Sequence, residues 1–347
     1  MSKATIKDVA RVAEVSLKTV SRVINNEPTV KDATRKKVQA VIKELRYQPD
    51  MSARNLRGNK SYAIGLVYDN PNPYYVVDVQ EGVLQACREL GYSLQIHPCN
   101  AKTGDIVEEL SDLALTSRLA GLVIAPPISE DDAIVEALHA RGVHLVRIIS
   151  ASSPPGGATP CVYVNDRAAA HSVTDHLIEK GHKRIAFLWG EEEHHSSGER
   201  YAGYHTALEE HGIGVDSALV LEGRYSFDSG FQRATKLLSS KKPPSAIFGC
   251  NDEIAAGALA AAKSLGLNVP GEVAIAGFEN SPFSKHAQPP LTTAAQSIGD
   301  IAKQAMMLLV AELRPQAVGE DHAKATSEFV PELIPRASTD HLETNDG

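Results

Sequence analysis

The chain has 347 residues, of which 43% are hydrophobic and 22% are charged, and its formal net charge at pH 7 is −8. This composition is typical of a folded chain of two or three domains, and it excludes a disordered chain. No apolar run approaches the ~20 residues that a membrane-spanning helix needs.

The charge is divided unevenly along the chain. Residues 1–60 contain fourteen Lys or Arg and six Asp or Glu, whereas the remainder contains 21 basic and 37 acidic residues. A basic segment attached to an acidic body predicts that one end of the protein binds a polyanion.

The first 46 residues are predicted to form three short helices. Thr5 caps the segment TIKDVARVA, Ser16 caps a second helix, and the third lies in TRKKVQAVIKEL and ends before Pro49. Only three residues, Glu14 to Ser16, separate the first two helices, which is the spacing of a helix-turn-helix. The buried side chains of the second helix are predicted to be Val20, Val23 and Ile24.

The second helix carries side chains suited to DNA recognition. In a helix-turn-helix this helix lies in the major groove, and its first residues reach the base edges. Lys18 and Arg22 can donate to guanine, and Leu17 can contact a thymine methyl group. The short polar side chains suited to phosphate contacts are Ser16, Thr19, Ser21 and Asn25. The alternative is an ordinary exposed helix, because the spacing alone is only moderately specific.

From residue 61 onward, apolar runs alternate with amphipathic helices. Continuous apolar strands in such an alternation predict parallel sheets covered on both faces, and two similar halves predict two doubly wound lobes. A ligand is then expected in the cleft between the lobes, at the carboxyl ends of the strands. The predicted strands are 62–68, 92–98, 121–126, 143–149, 184–190, 218–223, 246–250 and 273–278. The predicted helices are 75–90, 104–117, 131–141, 166–180, 199–211, 228–240 and 252–265.

Cysteine usage and the N-terminal segment indicate a cytoplasmic protein. The four cysteines are far apart and form no Cys-x-x-Cys pair, so we expect free thiols in a reducing compartment. The N-terminal segment is charged and lacks the apolar region of a signal peptide.

An enzyme is not expected. The chain has neither a Gly-x-Gly-x-x-Gly motif after a strand nor a phosphate loop with Gly-Lys-Ser/Thr, and no serine has a nucleophile-elbow context. His171, Asp175 and His176 share a predicted helix, but His176 is rotated away from the other two, so they form a weak candidate for a metal site. We therefore predict no cofactor and no metal.

Several segments together carry a family resemblance. TIKDVARVAEVSLKTVSRVIN, IGLVYDNPNPYY, HLIEKGHKRIAFLWG, SAIFGCNDEIAAGAL and VPGEVAIAGFEN closely resemble segments of LacI/GalR-family transcription regulators. The likeness covers residues 4–337. It implies a homodimeric repressor with an N-terminal helix-turn-helix headpiece and a two-lobed α/β core, folded like a periplasmic sugar-binding protein. One departure is Glu14, where many members have Gly.

The resemblance also implies the domain boundaries. A helix-turn-helix domain spans 1–48, a hinge helix and linker span 49–60, and the core spans 61–340. The N-lobe is expected at about 61–165 plus 297–323, and the C-lobe at about 166–296 plus 324–340. In this family the hinge helix inserts a leucine into the minor groove. That residue here is Leu56, flanked by Ala53, Asn55 and Arg57, and it would kink the duplex. The headpiece contacts are expected to include Thr5.

The ligand cleft is predicted to bind a sugar, which needs planar hydrogen-bonding groups and an aromatic face. Asp69 ends the first core strand, and the next segment places Tyr74 and Tyr75 at the cleft mouth. By resemblance, Arg200 contacts the oxygens of the ligand. The other contacts implied by the family are Tyr225, Asn251 and Glu279, the last of which stands where relatives usually have Asp.

Arg147 has two equally weighted interpretations. A charged residue inside an apolar strand must be paired, and its partner is either the ligand or an acidic side chain at the lobe interface. The function predicted for the whole chain is repression of sugar-utilisation genes through a pseudo-palindromic operator, with release by a mono- or disaccharide. The alternatives are a regulator activated by a co-repressor, similar to the purine repressor, and a sugar-binding receptor that does not bind DNA.

Overall fold

The computed structural model describes residues 4–24, 29–45, 47, 61–70, 72–102, 104–157, 159–314 and 326–340. The chain divides into two compact units, Met1–Tyr62 and Ala63–Gly347. Within the described ranges, no helix is both long and apolar enough to span a membrane.

The first unit contains the three predicted helices, α1 (Ile6–Val12), α2 (Leu17–Ile24) and α3 (Asp32–Glu44). Thr5 forms a reciprocal capping box with Asp8, and the Ser16 hydroxyl accepts a hydrogen bond from the Thr19 amide at 3.1 Å. Both predicted N-caps are therefore confirmed. The small core consists of Val9, Ala10, Ala13, Val20, Val23, Val38 and Val41.

Glu14 lies in the turn between α1 and α2 with a φ of 50°. This left-handed conformation favours Gly, and it costs an ordinary L-residue roughly 1–2 kcal/mol. The Glu14 carboxylate pairs with Lys37 Nζ of α3 at 2.9 Å. Both side chains are exposed, so this pair offsets only a small part of the strain.

The N-lobe is built on a parallel six-stranded sheet. Its strands are β1 (Ala63–Tyr68), β2 (Ser93–Pro98), β3 (Gly121–Ile124), β4 (Leu145–Ser150), β5 (Cys161–Val164) and β11 (Thr326–Phe329). Their spatial order is β11-β5-β4-β3-β1-β2. The helices of this lobe are α4 (Pro73–Leu90), α5 (Ile106–Thr116), α6 (Asp132–Ala140) and α12 (Ile298–Leu313).

The C-lobe contains a parallel four-stranded sheet in the order β7-β6-β8-β9. These strands are β6 (Ile185–Leu188), β7 (Val220–Leu221), β8 (Ala246–Gly249) and β9 (Ala274–Ala276). A short antiparallel pair, β10 (Thr293–Ala295) and β12 (Glu332–Ile334), lies beside β9. The helices are α7 (Asp166–Glu179), α8 (His195–Glu210), α9 (Phe227–Leu238), α10 (Asp252–Ser264) and α11 (Pro282–His286).

The chain crosses between the lobes three times, after β5, after β10 and after β11. The prediction that 324–340 belongs wholly to the C-lobe is wrong, because β11 pairs with β5 in the N-lobe sheet. The strand prediction also missed β5 itself. This strand has only four residues and follows the Pro- and Gly-rich segment, so its apolar run was too short to stand out.

Two helices that face the cleft begin earlier than predicted. Helix α4 begins at Pro73 because Pro is tolerated in the first turn, where its missing N–H is not needed. The Asn72 side chain caps this helix by accepting hydrogen bonds from the amides of Tyr74 and Tyr75 at 3.0 and 3.4 Å. Helix α8 begins at His195, four residues before the predicted start, so the polar segment after β6 forms its first turn.

Candidate functional site

A cavity of about 70 Å³ lies between the two lobes, where their parallel strands end. Ligand pockets usually measure about 300–1,000 Å³, so the lobes must separate to admit a sugar-sized molecule. The N-lobe contributes Asn70, Asn72, Tyr75, Pro126, Glu130, Ile148, Ile149, Ser150, Val164, Ile298 and Ile301 to its lining, and the C-lobe side contributes Asp166, His194, Ser196, Arg200, Tyr225, Glu279 and Gln296.

Arg200 and Asp166 form a buried ion pair in the wall of this cavity. Arg200 Nε lies 3.0 Å from Asp166 Oδ1, and the two side chains are 3% and 1% exposed. The guanidinium also donates to the Cys250 carbonyl at 2.6 Å and lies 3.9 Å above the centre of the Phe278 ring. These contacts fix the orientation of Arg200, which satisfies the rule that a buried charge must be paired and hydrogen-bonded.

Asp166 connects three parts of the core. Its carboxylate accepts hydrogen bonds from Ser150 Oγ at the end of β4, from Gln296 Nε2 between β10 and α12, and from Arg200 of α8. Asp166 was not predicted from the sequence as a site residue. The usable signal was the segment VND, in which an acid stands two residues after a buried strand and begins a helix.

Glu279 reaches the cavity from a strained backbone position after β9, where φ is 102°. Its carboxylate accepts a hydrogen bond from Asn72 Nδ2 across the cleft at 3.2 Å and lies 3.7 Å from Arg200 Nη1. Burial raises the pKa of Glu279 to about 8, although the nearby arginine acts in the opposite direction. Strained residues of this kind are frequent at binding sites.

Glu130 is a second buried carboxyl group that was not predicted as a site residue. It ends the short 3₁₀ turn Ile128–Glu130, where the acidic run SEDD has the appearance of a solvated loop. Its two oxygens accept hydrogen bonds from the amides of Ser150 at 3.0 Å and His195 at 3.2 Å, and the second of these bonds joins the lobes. Burial raises the pKa of this carboxyl group as well.

Tyr225 provides the aromatic face that was predicted for the cavity. Its hydroxyl is hydrogen-bonded to Ser197 Oγ at 2.8 Å, and the edge of the His194 ring meets it at a centroid distance of 5.7 Å. The ring lies against Gly190, where an added Cβ would come within 2.0 Å of it. The predicted residues that line the cavity are therefore Tyr75, Arg200, Tyr225 and Glu279.

Two other predicted contacts face away from this cavity. Asn251 is 1% exposed, and its side-chain oxygen caps α10 by accepting the Ile254 amide at 2.9 Å. Tyr74 is 41% exposed and contacts Phe283 edge-to-face at 5.6 Å. Their local roles, a helix cap and an aromatic contact between lobes, account for both positions.

Asp69 lines a neighbouring, more open cavity of about 550 Å³. Its carboxylate accepts the Ala101 amide at 2.9 Å. Glu130 separates the two cavities, since it lines both. We call this more open cavity the outer cavity and the smaller one around Arg200 the inner cavity. At the rim of the outer cavity, Lys102 of the N-lobe pairs with Glu193 of the C-lobe at 2.7 Å.

Arg147 pairs within the N-lobe. Its side chain donates to the Ser129 carbonyl at 2.6 Å and to Asp132 Oδ1 of α6 at 2.8 Å. Of the two interpretations, this geometry favours the structural pairing and not the ligand contact.

The first unit presents the start of α2 to solvent. Leu17 is 45% exposed and Lys18 is also exposed, whereas Ser21 and Arg22 are half-buried. The hydroxyls of Ser16 and Thr19 hydrogen-bond to each other at 2.9 Å. The predicted DNA contacts Asn25, Ala53, Asn55, Leu56 and Arg57 lie outside the described residues.

A helix-turn-helix unit and a two-lobed ligand-binding core in one chain define a DNA-binding regulator with a small-molecule sensor. Comparison with known families agrees with this class. Residues 5–50 match the bacterial regulatory proteins of the lacI family, and residues 174–339 match the periplasmic binding protein-like domain.

Whole-chain relatives give the more specific assignment. The chain is 31% identical over 343 residues to the HTH-type transcriptional repressor PurR of Vibrio atlanticus (strain LGP32), covering 98% of this chain and 99% of that protein. Among solved structures, the lac repressor dimer bound to operator and the anti-inducer ONPF is 28% identical with a TM-score of 0.73, covering 97% of this chain and 99% of that one. The complex of transcriptional regulator CelR with cellobiose is 27% identical with a TM-score of 0.71, covering 97% and 100%.

The chain therefore belongs to the LacI family of bacterial transcription regulators. It is a DNA-binding transcriptional repressor and not an enzyme.

Proposed function

We propose that this protein binds a pseudo-palindromic operator as a homodimer, represses sugar-utilisation genes in the cytoplasm, and is released by a small sugar in the cavity between its lobes. The observation that carries the proposal is the lining of that cavity. Both lobes contribute hydrogen-bonding side chains to it, so a ligand that contacts both has a different affinity for the open and the closed core.

A sugar is favoured by the chemistry of this lining. Carboxyl and amide groups accept and donate hydrogen bonds in fixed directions, and the Tyr225 ring offers the flat apolar face on which a pyranose packs. The related CelR structure contains cellobiose, a neutral polyol. The outer cavity beside Glu130 gives room for a second sugar ring.

Operator recognition is assigned to the exposed start of α2. Leu17 and Lys18 extend from a helix whose first turn is fixed by the Ser16 cap, and a rigid helix presents side chains to the major groove with little loss of entropy. The proposed interface also includes a guanine contact of Arg22, phosphate contacts of Ser16, Thr19, Ser21 and Asn25, and a headpiece contact of Thr5. Leu56, beside Ala53, Asn55 and Arg57, is inserted into the minor groove.

Effector binding acts through the bonds that join the lobes. Asn72 with Glu279 and Glu130 with the His195 amide close the cleft in the structure described here. A sugar that enters must replace them, and its own contacts then set a new lobe separation. By thermodynamic linkage, an inducer that lowers operator affinity by a given factor binds the operator-bound protein more weakly than the free protein by the same factor.

Fluorescence anisotropy with DNA fragments from upstream of the protein's own gene tests this function. Wild-type protein is compared with Lys18→Ala and with the matched control Lys43→Ala, which removes an exposed lysine from the last turn of α3. We expect Lys18→Ala to weaken operator binding about tenfold or more, because a side chain that contacts a base contributes about 1–3 kcal/mol. The control should retain nearly full affinity.

The same assay with mono- and disaccharides separates the candidate functions. Release of the DNA by a sugar supports the inducible repressor, and tighter binding supports a regulator activated by a co-repressor. Specific operator binding should also decrease steeply as salt rises. Sugar binding without any salt-sensitive DNA binding would leave only the receptor and contradict the proposal.

A further inference from the structure

The described residues that line the inner cavity carry more negative than positive groups. Three carboxyl groups face it, Glu130, Asp166 and Glu279, and Arg200 is the only side chain among these residues with a permanent positive charge. Burial lowers the pKa of the other basic group, His194, which favours its neutral form. With all three carboxyl groups ionised, the lining would hold two more negative charges than positive ones.

The protein compensates these carboxyl groups unequally. Asp166 has a close ion pair with Arg200 at 3.0 Å and two further donors. Glu279 has one amide donor from Asn72 and lies 3.7 Å from the same guanidinium, which is already committed to Asp166. Among the described residues, Glu130 accepts hydrogen bonds from two backbone amides, and the nearby His195 side chain partly opposes the rise of its pKa. In that part of the chain, neither Glu279 nor Glu130 has a close ion pair of its own.

We infer that the effector carries a protonated amine on its hydroxylated framework, and that this amine binds between Glu279 and Glu130 while the hydroxyl groups contact Arg200 and Tyr225. The inference rests on the proposed function, because it names the chemical class of the effector of that site. A bound cation provides the positive charge with which these two carboxyl groups can ionise inside the cavity, and the Tyr225 ring favours the same charge through its π-face. A carboxylate or phosphate group in this position would add a further buried negative charge.

Proton linkage follows from the surroundings of Glu279. The titratable and charged groups that face this carboxyl group are Arg200 of α8, Asp166 of α7, Asp252 of α10 and Tyr75 of α4. The pKa of Glu279, raised to about 8 by burial, means that this group holds a proton at neutral pH in the free protein. An ammonium group binds the deprotonated form, so binding releases that proton. Affinity for the amine should decrease up to about tenfold per pH unit below 8.

Matched sugars that differ at one carbon test the inference on the full-length protein. Glucose, galactose and mannose are compared with their 6-amino-6-deoxy derivatives, with their 2-amino derivatives and with their uronic acids, by isothermal titration calorimetry at pH 6.5 and 7.5. We expect at least one amino sugar to bind at least tenfold more tightly than its parent hexose at pH 7.5, and the uronic acids to bind more weakly than either.

Two Glu→Gln variants distinguish an effect of the carboxylate in the cavity from an effect of an exposed carboxylate outside it. Glu279→Gln should lower affinity for the amino sugar at least tenfold more than it lowers affinity for the parent hexose, and it should flatten the pH dependence of amino-sugar binding. Glu192→Gln removes an exposed carboxylate near the cleft and should change neither affinity. The melting temperature of each variant checks that it is folded.

The inference is overturned if no amino sugar binds, if the amino sugars bind no more tightly than their parents, or if a uronic acid binds best. Operator binding is measured on the same samples. Salt-sensitive operator binding without preference for the amine leaves the repressor function standing and removes only this inference. If neither salt-sensitive operator binding nor a preference for the amine is observed, the proposed function itself fails.

Discussion

The close packing of α7 against α8 predicts that substitution of Gly203 by Ala destabilises the protein. Gly203 of α8 lies so close to α7 that an added Cβ would be 2.2 Å from the Arg167 carbonyl oxygen and 2.8 Å from the His171 amide nitrogen. Both neighbours are backbone atoms and cannot rotate away. The substitution Gly203→Ala therefore requires the two helices to separate by roughly 1 Å, as expected for overpacking of a close helix contact.

The same movement affects the effector site, because the central ion pair joins these two helices. A separation of roughly 1 Å weakens the contact of Arg200 with Asp166, which is now 3.0 Å long. Overpacking costs about 1–3 kcal/mol, and the better helix propensity of Ala returns up to about 1 kcal/mol. We expect a net loss of about 1–2 kcal/mol in the free energy of unfolding and weaker effector binding.

A second glycine of α8 provides a control for this experiment, and the tryptophan of the chain provides a fluorescence probe. Gly198 lies in the same helix with no heavy atom within 4 Å of an added Cβ, so Gly198→Ala should stabilise the protein by about 0.5–1 kcal/mol. Trp189 is the only tryptophan of the chain and packs against Tyr201 of α8 at 4.9 Å. Urea unfolding followed by tryptophan fluorescence thus reports on the C-lobe. Equal stability of the two variants would refute the close-contact argument.

Three further substitutions test individual residues. Glu279→Gln should become more stable relative to wild type as pH rises from 5 to 8.5, by up to about 4 kcal/mol in thermal melts. The wild-type protein loses stability over this range because the unfolded chain ionises this acid at a lower pH than the native protein does. A constant difference between the two proteins would contradict this prediction. Arg147→Met should lower the free energy of unfolding by about 2–4 kcal/mol, since the Ser129 carbonyl loses a buried donor, yet leave effector affinity within twofold by calorimetry. A large loss of affinity in this variant would restore the ligand-contact interpretation. Glu14→Gly should slow amide hydrogen exchange in α1–α3 of the full chain by relieving about 1 kcal/mol of left-handed strain, and faster exchange would show that the Lys37 pair matters more than the strain.

The sequence was most informative where one local pattern dominates. The caps at Thr5 and Ser16 and the alternation of apolar strands with helices predict elements that the structure contains, because capping and periodicity act over a few neighbouring residues. The pairing of β11 with β5 was not predictable in the same way. It joins Thr326 to Cys161 across more than half of the core, and nothing in either short segment specifies the other.

The candidate site was predicted only in part for a similar reason. Arg200, Tyr225 and Glu279 lie in segments that resemble a family motif, and all three line the cavity. Asp166 and Glu130 were missed because their importance comes from burial, which is a property of the folded lobes and not of the segments VND and SEDD. An acidic side chain is usually exposed, so sequence alone favours the wrong environment for both.

Burial of these acids also explains how a small ligand can act on the whole core. A ligand shifts a conformational equilibrium only by its difference in affinity for the two states. Asp166 accepts hydrogen bonds from the end of β4, from the second crossover and from Arg200, so a ligand that contacts Arg200 acts on groups that belong to both lobes. The bond between Asn72 and Glu279 extends this connection to the cap of α4. Because the ligand must break or replace that bond, its binding energy is coupled directly to the start of an N-lobe helix, which gives the cavity a physical route to the rest of the lobe.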